Sequence, residues 1–105
     1  MKALLLPQIV NLADDARPLH MAKLPDPVPR ETEILIKVSA CGVCHTELDE
    51  IEGRAPPSLL PMVLGHQIVG RVVDVGNFVT RFHGGERVGV AWIYSACGQC
   101  TYCHS

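Results

Sequence analysis

The sequence predicts a mostly-β domain, a barrel or a sandwich, with one or two short helices. Three observations carry this. Short runs rich in Val, Ile and Leu recur along the chain. Gly and Pro separate them at short intervals. Only one stretch between breakers has the make-up of a helix, and it is short. Strands that outnumber helices and turn often suit a barrel or a sandwich. The 105 residues suffice for one small domain and not for two.

Residues 1–6 read as a buried first strand. Four prolines, Pro18, Pro25, Pro27 and Pro29, bar a continuous helix from Arg17 to Arg30 and leave an irregular or edge segment. From Glu33 to Ala40, Ile34, Ile36 and Val38 alternate with Leu35, Lys37 and Ser39, which predicts a strand with one fully apolar face. Gly42 is expected to break it. His45 to Glu52 has no breaker and an acidic first turn, so a short helix is expected, ended by Gly53 and Pro56-Pro57. The apolar run from Pro61 to Val75 is interrupted by Gly65 and Gly70, where the backbone should come close to something else. Val72, Val73 and Val75 predict a strand, Gly84-Gly85 a turn, and Arg87 to Ala91 a further strand. Cys97 to Ser105 reads as a cysteine-rich loop.

Composition narrows the function. Hydrophobic residues make up 48% and charged residues 19%, as in a globular chain. Aromatics are few: Phe78, Phe82, Trp92, Tyr94 and Tyr102. The formal charge is −2, with no basic run, so nucleic acid is not an expected partner. No apolar run reaches membrane-spanning length. Pro7 and Gln8 interrupt the apolar start, and Asp14-Asp15 follow, which argues against a signal peptide. A cytoplasmic protein is expected. The cysteines agree: Cys41-x-x-Cys44 and Cys97-x-x-Cys100-x-x-Cys103 form a poor disulfide framework and a natural metal-binding one.

Thiolates at i, i+3 and i+6 can converge on one soft cation. Zinc suits Cys97, Cys100 and Cys103 because it accepts tetrahedral sulfur sites without redox chemistry. Cys44, at a strand-to-helix turn, and His66, beside Gly65 at the opening of a strand, could both face a cleft. On spacing alone they fit a catalytic zinc, a buried thiol and a hydrogen-bonding histidine alike.

Four blocks then occur in order: Cys41-Gly42-Val43-Cys44-His45-Thr46-Glu47, Gly65-His66-Gln67-Ile68-Val69-Gly70-Arg71-Val72, Gly85-Glu86-Arg87-Val88-Gly89-Val90, and Cys97-Gly98-Gln99-Cys100-Thr101-Tyr102-Cys103. Together they resemble the zinc-dependent alcohol dehydrogenases of the medium-chain dehydrogenase/reductase superfamily. The resemblance implies a GroES-like β-barrel over residues 1–105, with the structural-zinc lobe beginning at 97. It implies that Cys44 and His66 hold the catalytic zinc and that Cys97, Cys100 and Cys103 hold the structural one. Thr46 would pass the alcohol proton towards solvent. His45 would lie near the cofactor phosphates or in the proton path. Glu47 would orient His66 from behind, and Gln67 would stand behind the zinc where the family usually has Glu. Glu47 itself replaces the family's usual Asp. Cys41 is left to packing.

The implied reaction takes an alcohol to an aldehyde or ketone, with hydride transfer to NAD or NADP. No Gly-x-Gly-x-x-Gly lies between a strand and a helix. The family's third catalytic ligand, fourth structural cysteine and cofactor domain come later than residue 105. The chain is therefore expected to be a truncated front part of the catalytic domain, inactive alone and open to self-association through its edges. The alternative is a non-enzymatic zinc-binding β-module or docking fragment.

Overall fold

The computed structural model describes residues 1–93 and 95–105; Tyr94 lies outside the described residues. The chain runs β1 (Lys2–Leu6), β2 (His20–Lys23), β3 (Ile34–Gly42), α1 (His45–Glu52), β4 (Met62–Val63), β5 (Gln67–Val75), β6 (Arg87–Val90) and α2 (Thr101–His104). One antiparallel sheet has the order β2-β1-β4, and a second has the order β3-β5-β6. Among the described residues the two sheets share no strand, so the barrel is open.

Each β1 residue from Lys2 to Leu5 pairs with a residue of β2, so the proline-rich segment supplies an edge strand. The β3–β5 pairing is the longest, from Ile34 opposite Val75 to Gly42 opposite Gln67. Gly42 therefore ends β3 from within the ladder instead of breaking it earlier. Register shifts at Leu35/Ile36 and at Val38/Ala40 interrupt the alternation. A bulge turns later side chains to the other face, so the expected apolar face of β3 is not continuous: Val38 is 53% exposed. The terminal loop also differs from expectation, since Thr101–His104 form one helical turn.

Helix α1 is set by its ends. Cys44 is the N-cap, with φ −130°, and its sulfur accepts the Thr46 N–H at 3.4 Å. The Glu47 carboxylate accepts the Cys44 N–H in return, at 2.7 Å. Gly53 closes the helix with φ 78°. The buried Ile51 faces inward, and its carbonyl accepts the Val10 N–H at 3.0 Å.

The core is thin. Leu6, Ile51 and Val72 are its buried hydrophobic residues. The chain exposes 8207 Å², against about 5,800 Å² for a compact monomer of its mass. Its radius of gyration is 15.7 Å, against about 13 Å for a compact chain of this length. Much of the order therefore rests on backbone ladders. Gly70 lets β3 and β5 close up: a Cβ there would stand 2.5 Å from both the Lys37 carbonyl oxygen and Ile36 Cγ2.

Gly70→Ala is expected to cost about 1–3 kcal/mol, because the obstruction is partly backbone. At Gly89 the nearest atom to a new Cβ is the Ile68 carbonyl oxygen, 3.8 Å away. Gly89→Ala should stay within about 0.5 kcal/mol of the parent. Urea denaturation of the two variants measures the difference.

Candidate metal centre

The last β3–β5 pair is Gly42 opposite Gln67. The chain leaving β3 through Val43 and Cys44 therefore lies beside the chain entering β5 through Gly65 and His66. This brings together two side chains that are 22 positions apart: Cys44 Sγ stands 3.5 Å from His66 Nε2. Both residues are half-buried. Gly65 makes the approach feasible. Its φ is 115°, and a Cβ there would lie 2.6 Å from Cys41 Sγ. Cys41 thus packs against the turn that delivers His66.

The other ring nitrogen faces α1. His66 Nδ1 lies 3.1 Å from Glu47 Oε1. That oxygen is buried and makes no directed hydrogen bond, so the contact is Coulombic. Glu47 Oε2 is taken by the Cys44 amide. Burial pushes the Glu47 carboxyl up, but hydrogen bonds from the Cys44 and Glu47 amides and the Cys44 thiol, with the charge of His66, hold it below its ordinary value of 4.5. Donor atoms of Cys44, Glu47 and His66 all fall within 4.8 Å of one another. Nε2 is on the thiol side and Nδ1 on the carboxylate side. Cys44 and His66 Nε2 can therefore share an ion while Glu47 steadies the ring from behind.

The remaining expected residues are placed differently. Thr46 is half-buried in the first turn of α1, tied by its amide to Cys44 Sγ. The His45 side chain is 77% exposed and lies 3.6 Å from Asp49 Oδ1. Asp49 also pairs with Arg54 at 2.5 Å. Gln67 is exposed, and its Oε1 lies over Gly42, where a Cβ would meet it at 2.6 Å.

Two further residues belong to this corner. Trp92 stands edge-on to His66, with ring centroids 4.8 Å apart. Its position follows from the β5–β6 register, Ile68 opposite Val90, extended two pairs beyond the ladder. Glu50 follows Glu47 by three positions on α1, the spacing that brings two helical side chains onto one face. Its Oε2 is buried without a hydrogen-bond partner. Burial, and then the charge of Glu47, push its carboxyl above the ordinary 4.5, and His66 offsets this only in part. Helical spacing could have pointed to Glu50; Trp92 needed the strand register.

A second donor group sits on the last turn. Cys97, Cys100 and Cys103 are exposed, with sulfurs 3.8 Å apart for Cys97–Cys103 and 3.5 Å apart for Cys100–Cys103. Amides of Gln99 and Cys100, and then the neighbouring thiols, pull the Cys97 thiol down to about 7. Loose thiols so arranged are good ligands for a soft or borderline cation.

The alcohol dehydrogenase GroES-like domain family matches residues 30–105. An alcohol dehydrogenase from Moraxella sp. (strain TAE123) is 48% identical over 87 residues, covering 81% of this chain and 25% of that protein. An alcohol dehydrogenase from Geobacillus stearothermophilus is 43% identical over 90 residues, covering 85% of this chain and 27% of its own length. Among solved structures, zinc-dependent alcohol dehydrogenase 2 from Streptococcus pneumonia, in its apo form, superposes with a TM-score of 0.83 at 28% identity. The match takes in 99% of this chain and 28% of that one. The fold is thus the GroES-like, mostly-β one. The chain belongs to the zinc-dependent alcohol dehydrogenases of the medium-chain dehydrogenase/reductase superfamily, through their GroES-like domain. It spans about a quarter of the length of the relatives it matches. Among the described residues no helix is long and apolar enough to cross a membrane.

The capping role of Glu47 gives a pH-dependent prediction. A carboxylate held below its ordinary value stabilises the fold above pH 4.5, and the contribution is lost as pH falls through the lower folded value. Glu47→Gln should therefore lower stability at neutral pH by about 1 kcal/mol, as for a lost cap. The gap should close in acid. Thermal melts of both proteins across pH follow it.

Proposed function

We propose that this chain supplies the zinc-holding face of an alcohol dehydrogenase, which oxidises a small alcohol to an aldehyde or ketone with NAD or NADP as hydride acceptor. One observation carries the proposal. The Cys44 thiol meets His66 Nε2 at 3.5 Å while Nδ1 of the same ring is turned to a buried carboxylate. A histidine so held presents an oriented nitrogen. A thiolate, an imidazole and a backing carboxylate fit zinc by softness and by charge.

Cys44 and His66 would hold the catalytic ion, and Cys97, Cys100 and Cys103 the structural one. Bound zinc supplies Lewis-acid chemistry that lowers the pKa of an alcohol. Glu47 fixes the His66 ring through Nδ1. Its own charge balances part of the cation, and its bond to the Cys44 amide keeps the thiol at the head of α1. Thr46, one residue beyond His45, offers the hydroxyl that takes the alcohol proton onward. His45 is solvent-facing and suits the outer end of that path or a cofactor phosphate. Trp92 walls the corner on the His66 side and keeps water from one flank. Gln67 lies over Gly42 and adds no charge, so the negative charge of the corner comes from α1. Five free thiols suit a reducing compartment, and a cytoplasmic location is part of the proposal.

Cobalt(II), a coloured stand-in for zinc, tests the assignment. Titration should load both donor groups, with thiolate-to-cobalt absorbance and quenching of the single tryptophan, Trp92. Cys44→Ser or His66→Ala should remove the quenching and one ion, leaving the other. Cys97→Ser should remove the second ion and spare the quenching. Glu47→Gln should weaken the quenching ion by roughly 10–100-fold, the usual effect of losing a ligand's backing partner. Tryptophan emission indifferent to cobalt in the parent chain would overturn the catalytic-site assignment.

A further inference from the structure

The sulfurs of Cys97, Cys100 and Cys103 lie close enough to join one another as well as a cation. Cys100 opens α2 and Cys103 lies three residues on, the spacing that puts two side chains on one side of a helical turn. Their sulfurs are 3.5 Å apart. Cys97 reaches the same Cys103 sulfur from the loop before α2, at 3.8 Å. Cys103 is thus the sulfur that both others meet. All three residues are exposed, and α2 buries no side chain. A disulfide holds its sulfurs at about 2.0 Å. A small movement of an exposed turn closes the remaining gap, with no core to repack. The other two cysteines are engaged elsewhere. Cys44 Sγ faces His66 Nε2 and the Thr46 amide. The Cys41 thiol donates to the Gly42 carbonyl and lies over the Gly65 turn. Neither belongs to the sulfur group.

We propose that this sulfur group is a peroxide-sensitive dithiol centred on Cys103, which closes to a Cys100–Cys103 disulfide when it holds no cation. Hydrogen peroxide is the oxidant. One sulfur attacks the peroxide; an S–O bond forms, the O–O bond breaks, and water leaves. The second sulfur attacks the first; the S–S bond forms, the S–O bond breaks, and a second water leaves. Both thiol protons end in those waters, and two electrons pass from sulfur to oxygen. Cys97 is left as a free thiol beside Cys103. It can attack the bridge and displace Cys100, so Cys103 stays bridged with either partner. A bridge removes two of the three thiolate donors, so the disulfide and the cation exclude each other. That exclusion rests on the structural-ion assignment above; the bridge itself does not. Disulfides that form and are reduced again are the kind that reducing compartments allow.

Thiol mapping tests this. The chelator-treated chain, kept dilute, meets a small excess of hydrogen peroxide. Free thiols are then alkylated and located by peptide mass spectrometry, with a non-reducing gel to separate internal bridges from crosslinked chains. The parent should lose two hydrogens and keep Cys41, Cys44 and one thiol of the group open to alkylation. The bridge should include Cys103, and dithiothreitol should restore all five thiols. Cys103→Ser should slow bridging by about tenfold or more, because it removes the sulfur common to both short contacts. Cys97→Ser should bridge as the parent does. Saturating zinc should slow bridging in the parent. All three positions are exposed, so the variants should keep the parent's far-ultraviolet circular dichroism. Bridging by Cys103→Ser at the parent's rate, a bridge mapped to Cys41 or Cys44, or crosslinked chains alone would each overturn the proposal. Bridging unslowed by zinc would overturn the exclusion. Where the cobalt titration also shows uptake at the Cys44–His66 corner alone, the structural-ion assignment falls with it, and the bridge in the metal-free chain stands.

Discussion

The antiparallel pairing of β3 with β5 is the constraint on which the rest depends. It joins the two longest strands, and its end pair, Gly42 with Gln67, fixes which residues emerge side by side. Cys44 leaves one strand and His66 enters the other, so their meeting follows from the ladder. Pairing of β5 with β6 then brings Trp92 to the far side of His66. A slip of one residue in either ladder would reverse which faces the side chains take and disperse the corner. The absent Cβ at Gly70 protects the register, because it lets β3 lie directly on β5. In a chain whose core is so small, backbone geometry governs the chemistry more than side-chain packing does.

Much of this was legible in the sequence. The α1 segment, His45 to Glu52, could be read from the absence of breakers and from Gly53 at its end, and the helix has those bounds. The strands at Lys2–Leu6 and Arg87–Val90 follow from short apolar runs between turn residues. What was not legible depended on events outside the local pattern. The bulges in β3 spoil an alternation that looks regular from Ile34 to Val38. The two-residue strand Met62–Val63 is too short to have a period and exists because β1 is there to receive it. The terminal turn at Thr101–His104 forms in a segment where cysteines and a glycine suggest a loop.

The candidate site divides in the same way. Cys97, Cys100 and Cys103 could be chosen from spacing, because ligands three apart reach a common point in almost any tight backbone. Cys44 and His66 could not, and resemblance to a family singled them out. The geometry adds what neither provides: the sidedness of the imidazole, with sulfur at Nε2 and carboxylate at Nδ1. It also separates neighbours that a linear motif treats alike. Thr46 remains beside the thiol, whereas His45 turns outward to Asp49 and Gln67 settles over Gly42.

Cys44 serves two masters. As the residue that starts α1, it must accept a backbone N–H. As a thiol facing an imidazole, it must be soft. Sulfur satisfies the second demand and meets the first weakly, with the Thr46 amide at 3.4 Å. Aspartate would reverse the balance, since it caps helices well and is a hard oxygen donor. On the proposed reading, the position is therefore a compromise between the mechanics of a helix and the demands of a cation. Glu47, which holds the Cys44 amide in return, supplies the hydrogen bond that makes a poor cap sufficient.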